Sequence, residues 1–109
     1  MQEEAFEEVR AATLSMLSDD FVGVWQIPWA IARLYPRMRE NLVRTLTLQV
    51  VEDLMTARMM RAGRLIESGR RFVDMGLSAN QVAELIAAEW DRLGRAPDVG
   101  EVIWFAPVD

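Results

Sequence analysis

The residues of this chain that could carry acid–base chemistry are its carboxylates, one tyrosine (Tyr35) and a few hydroxyls. The sequence has no histidine and no cysteine, and all 12 of its cationic side chains are arginine. A Ser-His-Asp triad, a Cys-His pair and a Cys/His zinc site each require an imidazole or a thiolate. A Schiff base or a Ser-Lys pair requires a lysine amine. The sequence therefore excludes these nucleophilic and zinc-based mechanisms.

Carboxylates alone could still form a glycosidase-like acid pair or a magnesium site. The only acidic doublets considered as candidates are Asp19-Asp20 and Glu52-Asp53. Neighbouring residues on a helix diverge by about 100°, so we interpret the doublets as a turn and a solvated helix face. The glycines are scattered and form no phosphate-binding loop. We therefore expect no enzymatic activity, no cofactor and no metal.

Size and composition indicate one folded domain over residues 1–109. The sequence is 51% hydrophobic and 27% charged, the balance of an ordinary globular protein. The longest uncharged stretch, residues 21–32, is too short to cross a bilayer. The acidic first turn is unlike a secretory leader, and the lack of cysteine suits a reducing compartment. We expect a cytoplasmic protein that does not enter a membrane.

Hydrophobic periodicity predicts an α+β fold with four helices and a small antiparallel sheet. The first three predicted helices cover residues 2–17, 28–34 and 42–57. A capping box formed by Ser78 and Gln81 begins the fourth helix, and Gly94 ends it. The predicted strands are 21–26, a hairpin at about 59–75 around a Ser-Gly turn, and a C-terminal strand at 101–106, which follows a turn between 97 and 100 and is ended by Pro107.

Large apolar side chains are predicted to fill the core. Tryptophans 25, 29, 90 and 104 each fall on an apolar stripe or in a strand, which favours core packing over a stacking platform for bases. Methionines 38, 55, 59 and 60 are interpreted as core filling in preference to an adaptable interface. The fourth helix is predicted to turn Val82, Leu85, Ile86, Trp90 and Leu93 inward.

The element order of helix, strand, short helix, long helix and hairpin resembles the winged-helix superfamily over about residues 3–76. The run VVEDLM at 50–55, followed by MMRAG at 59–63 and LI at 65–66, carries the resemblance. It implies that the third helix enters a DNA groove and that the hairpin forms the wing. A longer third helix and an added C-terminal helix and strand depart from that pattern. The chain is also similar to small uncharacterised bacterial proteins that end in a GEVIWF-like strand, here 100–105, which implies no function.

Charge divides the chain into three blocks. The net charge is −5 over residues 1–32, +5 over 33–71 and −5 over 72–109. The basic block coincides with the proposed helix-turn-helix and wing. Its arginines form the candidate binding surface: Arg37, Arg39, Arg44, Arg58, Arg61, Arg64, Arg70 and Arg71. The alternative is that they are solvated charges paired with nearby acids, as Glu40 with Arg44 would be at an i, i+4 spacing.

Two functions follow from these patterns. The first is a non-enzymatic bacterial interaction or regulatory protein that contacts another protein or a second copy of itself. The alternative is a winged-helix DNA-binding regulator in which Arg39 and Arg44 enter the groove while Arg70 and Arg71 grip phosphate. The acidic total charge lowers long-range attraction to DNA, which favours the first. The sequence identifies no small-molecule substrate.

Overall fold

The computed structural model describes residues 2–97 and 103–108 of the chain. In this part, helices and strands mix along the chain, and the predicted α+β class is confirmed. The helices are α1 (Gln2–Asp19), α2 (Gln26–Leu34), α3 (Glu40–Thr56) and α4 (Ala79–Leu93). The strands are β1 (Val22–Gly23), β2 (Met60–Ile66), β3 (Arg71–Asp74) and β4 (Trp104–Pro107).

The strands form one antiparallel sheet in the order β1-β4-β2-β3. The C-terminal strand β4 therefore lies inside the sheet and joins β1 to the hairpin. Phe105 pairs with Val22 on one side and with Ala62 on the other. Because residues paired across strands share a face, these three side chains point to the same side of the sheet. All three are buried, and α1 and α3 cover this side.

The opposite face of the sheet is covered by aromatic side chains from the chain itself. A Cβ atom at Gly23 would come within 2.1 Å of the Trp25 ring, so that ring lies directly against the Gly23 backbone. The Trp25 ring meets Trp104 edge to face at 4.7 Å between centroids. Phe21 stacks on Phe72 at 5.6 Å. The absence of a side chain at Gly23 is thus what lets Trp25 close this face.

Two of the predicted core tryptophans are fully enclosed and one is not in the core at all. Trp25 and Trp90 are buried, and Trp104 is half-buried. Trp29 is 54% exposed, so its core assignment was wrong. It lies in the first turn of α2, where Ala30 and its neighbours face inward and Trp29 points to solvent. Of the adjacent methionines, Met60 is buried as expected, whereas Met59 is 39% exposed.

The first strand is shorter than the predicted 21–26. The strand covers only Val22 and Gly23; the Val24 N–H donates one further bond of 3.0 Å to the Ile103 carbonyl, and the chain then turns into α2. The Gln26 side chain closes this turn, since its Oε1 accepts a hydrogen bond of 2.7 Å from the Gly23 N–H. An apolar run alone does not distinguish a buried strand from a buried helix start.

The C-terminal strand was also predicted with shifted bounds. Pro107 was expected to end it, but Pro107 pairs with Met60 inside β4. Strand β1 pairs with Trp104 and Phe105 of β4 but not with Pro107. The missing N–H of Pro107 therefore breaks no hydrogen bond between β4 and β1. Positions 101 and 102 of the predicted strand, and most of the turn predicted between 97 and 100, lie outside the described residues.

Helix α4 begins and ends where its signals predicted. The Ser78 hydroxyl accepts from the Gln81 N–H at 3.2 Å, the Gln81 side chain accepts from the Ser78 N–H at 2.9 Å, and Gly94 takes the left-handed cap. Val82, Ile86 and Trp90 face the core as expected, and Leu93 is half-buried. Leu85 is 43% exposed, which contradicts its inward assignment.

Helix α3 ends in a Schellman motif with an arginine where glycine is preferred. The Met59 N–H bonds to the Leu54 carbonyl, the Arg58 N–H bonds to the Met55 carbonyl, and Arg58 has φ of 59°. A side chain in this conformation costs about 1 kcal/mol. Arg58→Gly is therefore expected to raise the free energy of unfolding by about 0.5 to 1 kcal/mol, measured by urea denaturation. The control is Arg70→Gly, an exposed arginine outside the left-handed region, which is expected to lower the free energy of unfolding. Equal changes in the two variants would show that the left-handed conformation of Arg58 is not strained.

Candidate functional site

The hairpin β2–β3 is built by an exact cross-strand register and a four-residue connection. Residues from Gly63 to Ile66 pair with Asp74 to Arg71. In the connection, Glu67 and Ser68 have φ of 54° and 58°, and Gly69 has φ of 84°. Positive φ at successive residues gives a tight reversal whose twist matches that of the strands. The predicted hairpin is confirmed, with its tip at residues 67–70.

The base and the distal half of this hairpin have different surroundings. Met60 and Ala62 lie on one face at the base of the hairpin, and both are buried against the helices. Further along the same face the side chains become exposed, because the strands extend beyond the helices that cover their base. The exposed residues there are Arg64, Ile66, Arg71 and Val73, which we call the hairpin surface.

Within the hairpin surface each arginine lies opposite an aliphatic residue. Arg64 pairs with Val73, and Ile66 pairs with Arg71. Directly paired residues have Cβ atoms about 5 Å apart, so the four side chains form a two-by-two patch with the cations on one diagonal. Ile66 and Val73 are each 39% exposed. The patch therefore offers aliphatic area between two positive charges.

Arg61 and Arg71 have acidic partners within the hairpin. The Arg61 guanidinium lies 4.9 Å from the centre of the Phe72 ring, and its Nη1 is 3.8 Å from Asp74 Oδ2. Its Nε is buried and has no acceptor among the described residues. Arg71 is 3.8 Å from Glu67, but both side chains are more than half exposed, so this pair is weak. Arg61 is thus held on the far face of the sheet, away from the hairpin surface.

Arg44 is engaged by α4 and does not point away from the protein. Its Nη2 lies 3.3 Å from Asp91 Oδ2. The expected pair between Glu40 and Arg44 does not form, since the Glu40 carboxylate accepts a 3.1 Å hydrogen bond from the Trp90 indole. Both contacts attach α4 to the first turns of α3. The ion pair with Asp91 also engages Arg44, one of the two residues that were predicted to enter a DNA groove.

Of the remaining candidate arginines, Arg70 lies at the hairpin tip and the other three lie at the two ends of α3. Arg37 and Arg39 are exposed just before the helix, whereas Arg58 is exposed just after it. A helix of 17 residues is about 25 Å long. Within the described residues these three, together with Arg64 and Arg70, form no ion pair. The eight predicted arginines are therefore not gathered into one surface.

One solvent-exposed side of α3 carries no arginine. Leu42, Thr45, Gln49, Glu52 and Thr56 lie on it at three- and four-residue steps, and each is exposed or half-exposed. This stripe faces two depressions beside the start of α1. This side of the helix is thus apolar, neutral or acidic.

One of the depressions gathers carboxylates from both helices. Glu3 and Glu7 of α1 line it together with Glu52 and Asp53 of α3. Asp53 also forms a 2.6 Å ion pair with Arg10, so the doublet is not simply the solvated helix face that the sequence indicated. No group of three or more metal-binding side chains in the described ranges could hold a metal ion. Sequence reasoning missed this convergence because residues in α1 and α3 are more than forty positions apart.

Comparisons of the chain with protein-family models, with curated proteins and with solved structures gave no match. Across the described ranges, none of the helices combines the length and the apolar character that a bilayer span requires.

Proposed function

We propose that this chain is a non-enzymatic interaction protein whose hairpin surface binds another protein. The observation that carries the proposal is the two-by-two patch of Arg64, Ile66, Arg71 and Val73 on a hairpin that extends beyond the helices. A cytoplasmic location and a regulatory role belong to the same proposal. The lack of cysteine is consistent with that location.

The composition of the patch favours a protein partner. Arginine is enriched in protein interfaces, and aliphatic area between the charges gains free energy when a partner excludes water from it. Single exposed aliphatics need no explanation, but Ile66 and Val73 are diagonal neighbours on one face. A partner that suits them carries apolar side chains flanked by carboxylates.

The position of β3 adds a second mode of contact. In the described sheet, β3 is an edge strand, and its outer side has no strand beside it. An extended segment of a partner can add to such an edge through main-chain hydrogen bonds, while its side chains contact alternate residues of the edge strand. On the helix-facing side of the sheet, those residues are Arg71 and Val73.

The proposal is tested by selecting displayed protein fragments against the immobilised chain and measuring their affinities. Fragments that bind are expected to be acidic and apolar, and to lose at least about tenfold in affinity on the double variant Ile66→Ser, Arg71→Ser, which removes one cross-strand pair. The matched control is Leu85→Ser with Arg92→Ser, which removes an exposed leucine and an exposed arginine from α4. Equal losses on both variants, or selected fragments indifferent to the hairpin, would refute the hairpin as the binding surface.

A winged-helix role in DNA binding is the second candidate, and one observation favours it. Arg64 and Arg70 are exposed on the hairpin without an acidic partner in the described part of the chain. This candidate predicts a mobility shift of duplex DNA that weakens steeply with salt and that the double change Arg70→Ala, Arg71→Ala reduces across all sequences. Absence of any shift at low salt would exclude it and leave the protein partner.

A further inference from the structure

A second cavity lies on the opposite flank of α1 from the acidic depression and is mainly apolar. It has a volume of about 400 Å³ and lies between the first turns of α1, the chain connecting α2 to α3, and the start of α3. Ala5, Met38, Leu42 and Leu46 provide its apolar wall. This volume falls within the range of small-ligand pockets, which is about 300 to 1,000 Å³.

The charged groups on the wall of this cavity, within the described residues, are two glutamates. Glu4 and Glu8 lie one turn apart on the same side of α1, where like charges repel. Arg37 and Arg39 flank Met38 in the chain, but neither lines the cavity. No described ion pair neutralises either glutamate. A cation placed at the mouth would therefore relieve their repulsion.

Tyr35 fixes one of these carboxylates at the cavity wall. Its hydroxyl donates a 2.6 Å hydrogen bond to Glu8 Oε1. This bond, with smaller contributions from desolvation and from the charges of Glu8 and Glu4, raises the pKa of Tyr35 to about 12. The phenol therefore stays protonated at neutral pH and continues to orient the carboxylate beside the apolar wall.

We propose that this cavity binds a small organic cation in which an alkyl or aryl group is joined to a protonated amine. The apolar group occupies the space beside Met38, Leu42 and Leu46, and the ammonium lies at Glu4 and Glu8. Shape and charge both select this class, since an anion meets two carboxylates and a fully polar cation leaves the apolar wall uncovered. The site is separate from the hairpin surface, and neither proposal depends on the other.

The test is an NMR titration of the full chain with phenylbutylamine, phenylbutanol and phenylbutyrate, which share an apolar group and differ in charge. The amine is expected to shift the signals of Leu42, Thr45 and Leu46 and to bind about fivefold more tightly than the alcohol, because exposed ion pairs contribute little each. The carboxylate is expected to bind most weakly. Glu8→Gln is expected to reduce the preference for the amine while leaving alcohol binding in place.

Two further variants separate the cavity from the rest of the surface. Thr45→Trp, or Gln49→Trp if the first does not fold, fills the cavity and is expected to remove binding of the amine and the alcohol. Glu84→Gln, an exposed glutamate of α4 that does not line the cavity, is expected to change nothing. The proposal is wrong if no shifts occur at the cavity, if all three probes bind equally, or if a lysine-bearing peptide occupies the cavity and phenylbutylamine does not.

Discussion

Gly63→Ala is expected to destabilise the protein by at least about 3 kcal/mol and to separate the strands of the hairpin. A Cβ atom at this position would lie 2.1 Å from the Val73 carbonyl oxygen and 2.7 Å from Phe72 Cζ. A flexible side chain could move aside, but the nearer obstacle is the backbone of the partner strand. The strands must therefore move apart, which breaks the ladder that positions the hairpin surface.

The effect of Gly63→Ala is measured by urea denaturation together with amide hydrogen exchange at Arg64 and Ile66. Gly69→Ala is the matched control, because it makes the same substitution in the same hairpin where no atom lies within 4 Å of the added Cβ. Its positive φ of 84° should cost only about 1 to 2 kcal/mol. If Gly63→Ala proved no more destabilising than Gly69→Ala, the described close approach of β2 and β3 would be incorrect.

Phe105→Ala is expected to cost roughly 3 to 5 kcal/mol, the usual range for truncating a fully buried phenylalanine. Phe105 is 0% exposed and lies in β4 between Val22 and Ala62. Its loss would open a cavity at the point where β4 joins the first strand to the hairpin. The free energy of unfolding should therefore fall, and the amide exchange rates of β1 and β2 should rise with it.

The control for Phe105→Ala is Val108→Ala, which alters the chain just beyond β4. Val108 is 44% exposed, so its truncation should change the free energy of unfolding by less than about 0.5 kcal/mol. Comparable destabilisation by both variants would show that β4 does not hold the central place in the sheet assigned to it.

Elements with local signals could be predicted from the sequence. The capping box of Ser78 and Gln81 and the stop at Gly94 require only residues within one or two turns, and each formed as expected. The Ser-Gly turn likewise marked the hairpin. The predicted extent of the first strand was wrong because the turn into α2 is closed by a hydrogen bond from the Gly23 N–H to the Gln26 side chain, which apolar periodicity does not reveal.

The candidate site was only partly predictable, because the partners of the arginines lie far away in the sequence. Arg44 and Asp91 are 47 positions apart, and nothing near Arg44 indicates that α4 will cover it. The pairing of Arg64 with Val73 and of Ile66 with Arg71 was not predicted, although it follows from a hairpin whose turn lies at Ser68 and Gly69. The sequence does not reveal where along β2 the helices stop covering the strand. Tertiary packing sets this boundary, which falls between buried Ala62 and exposed Arg64.

The most direct test of the central claim is photo-cross-linking from two positions in separate variants, Ile66 on the hairpin surface and Thr45 on the solvent side of α3. Each variant, carrying a photoreactive amino acid, is expressed in the cell of origin and irradiated. If the hairpin surface binds a protein, a discrete protein adduct is expected from position 66 and none from position 45. An adduct from position 45 with none from position 66 would contradict it.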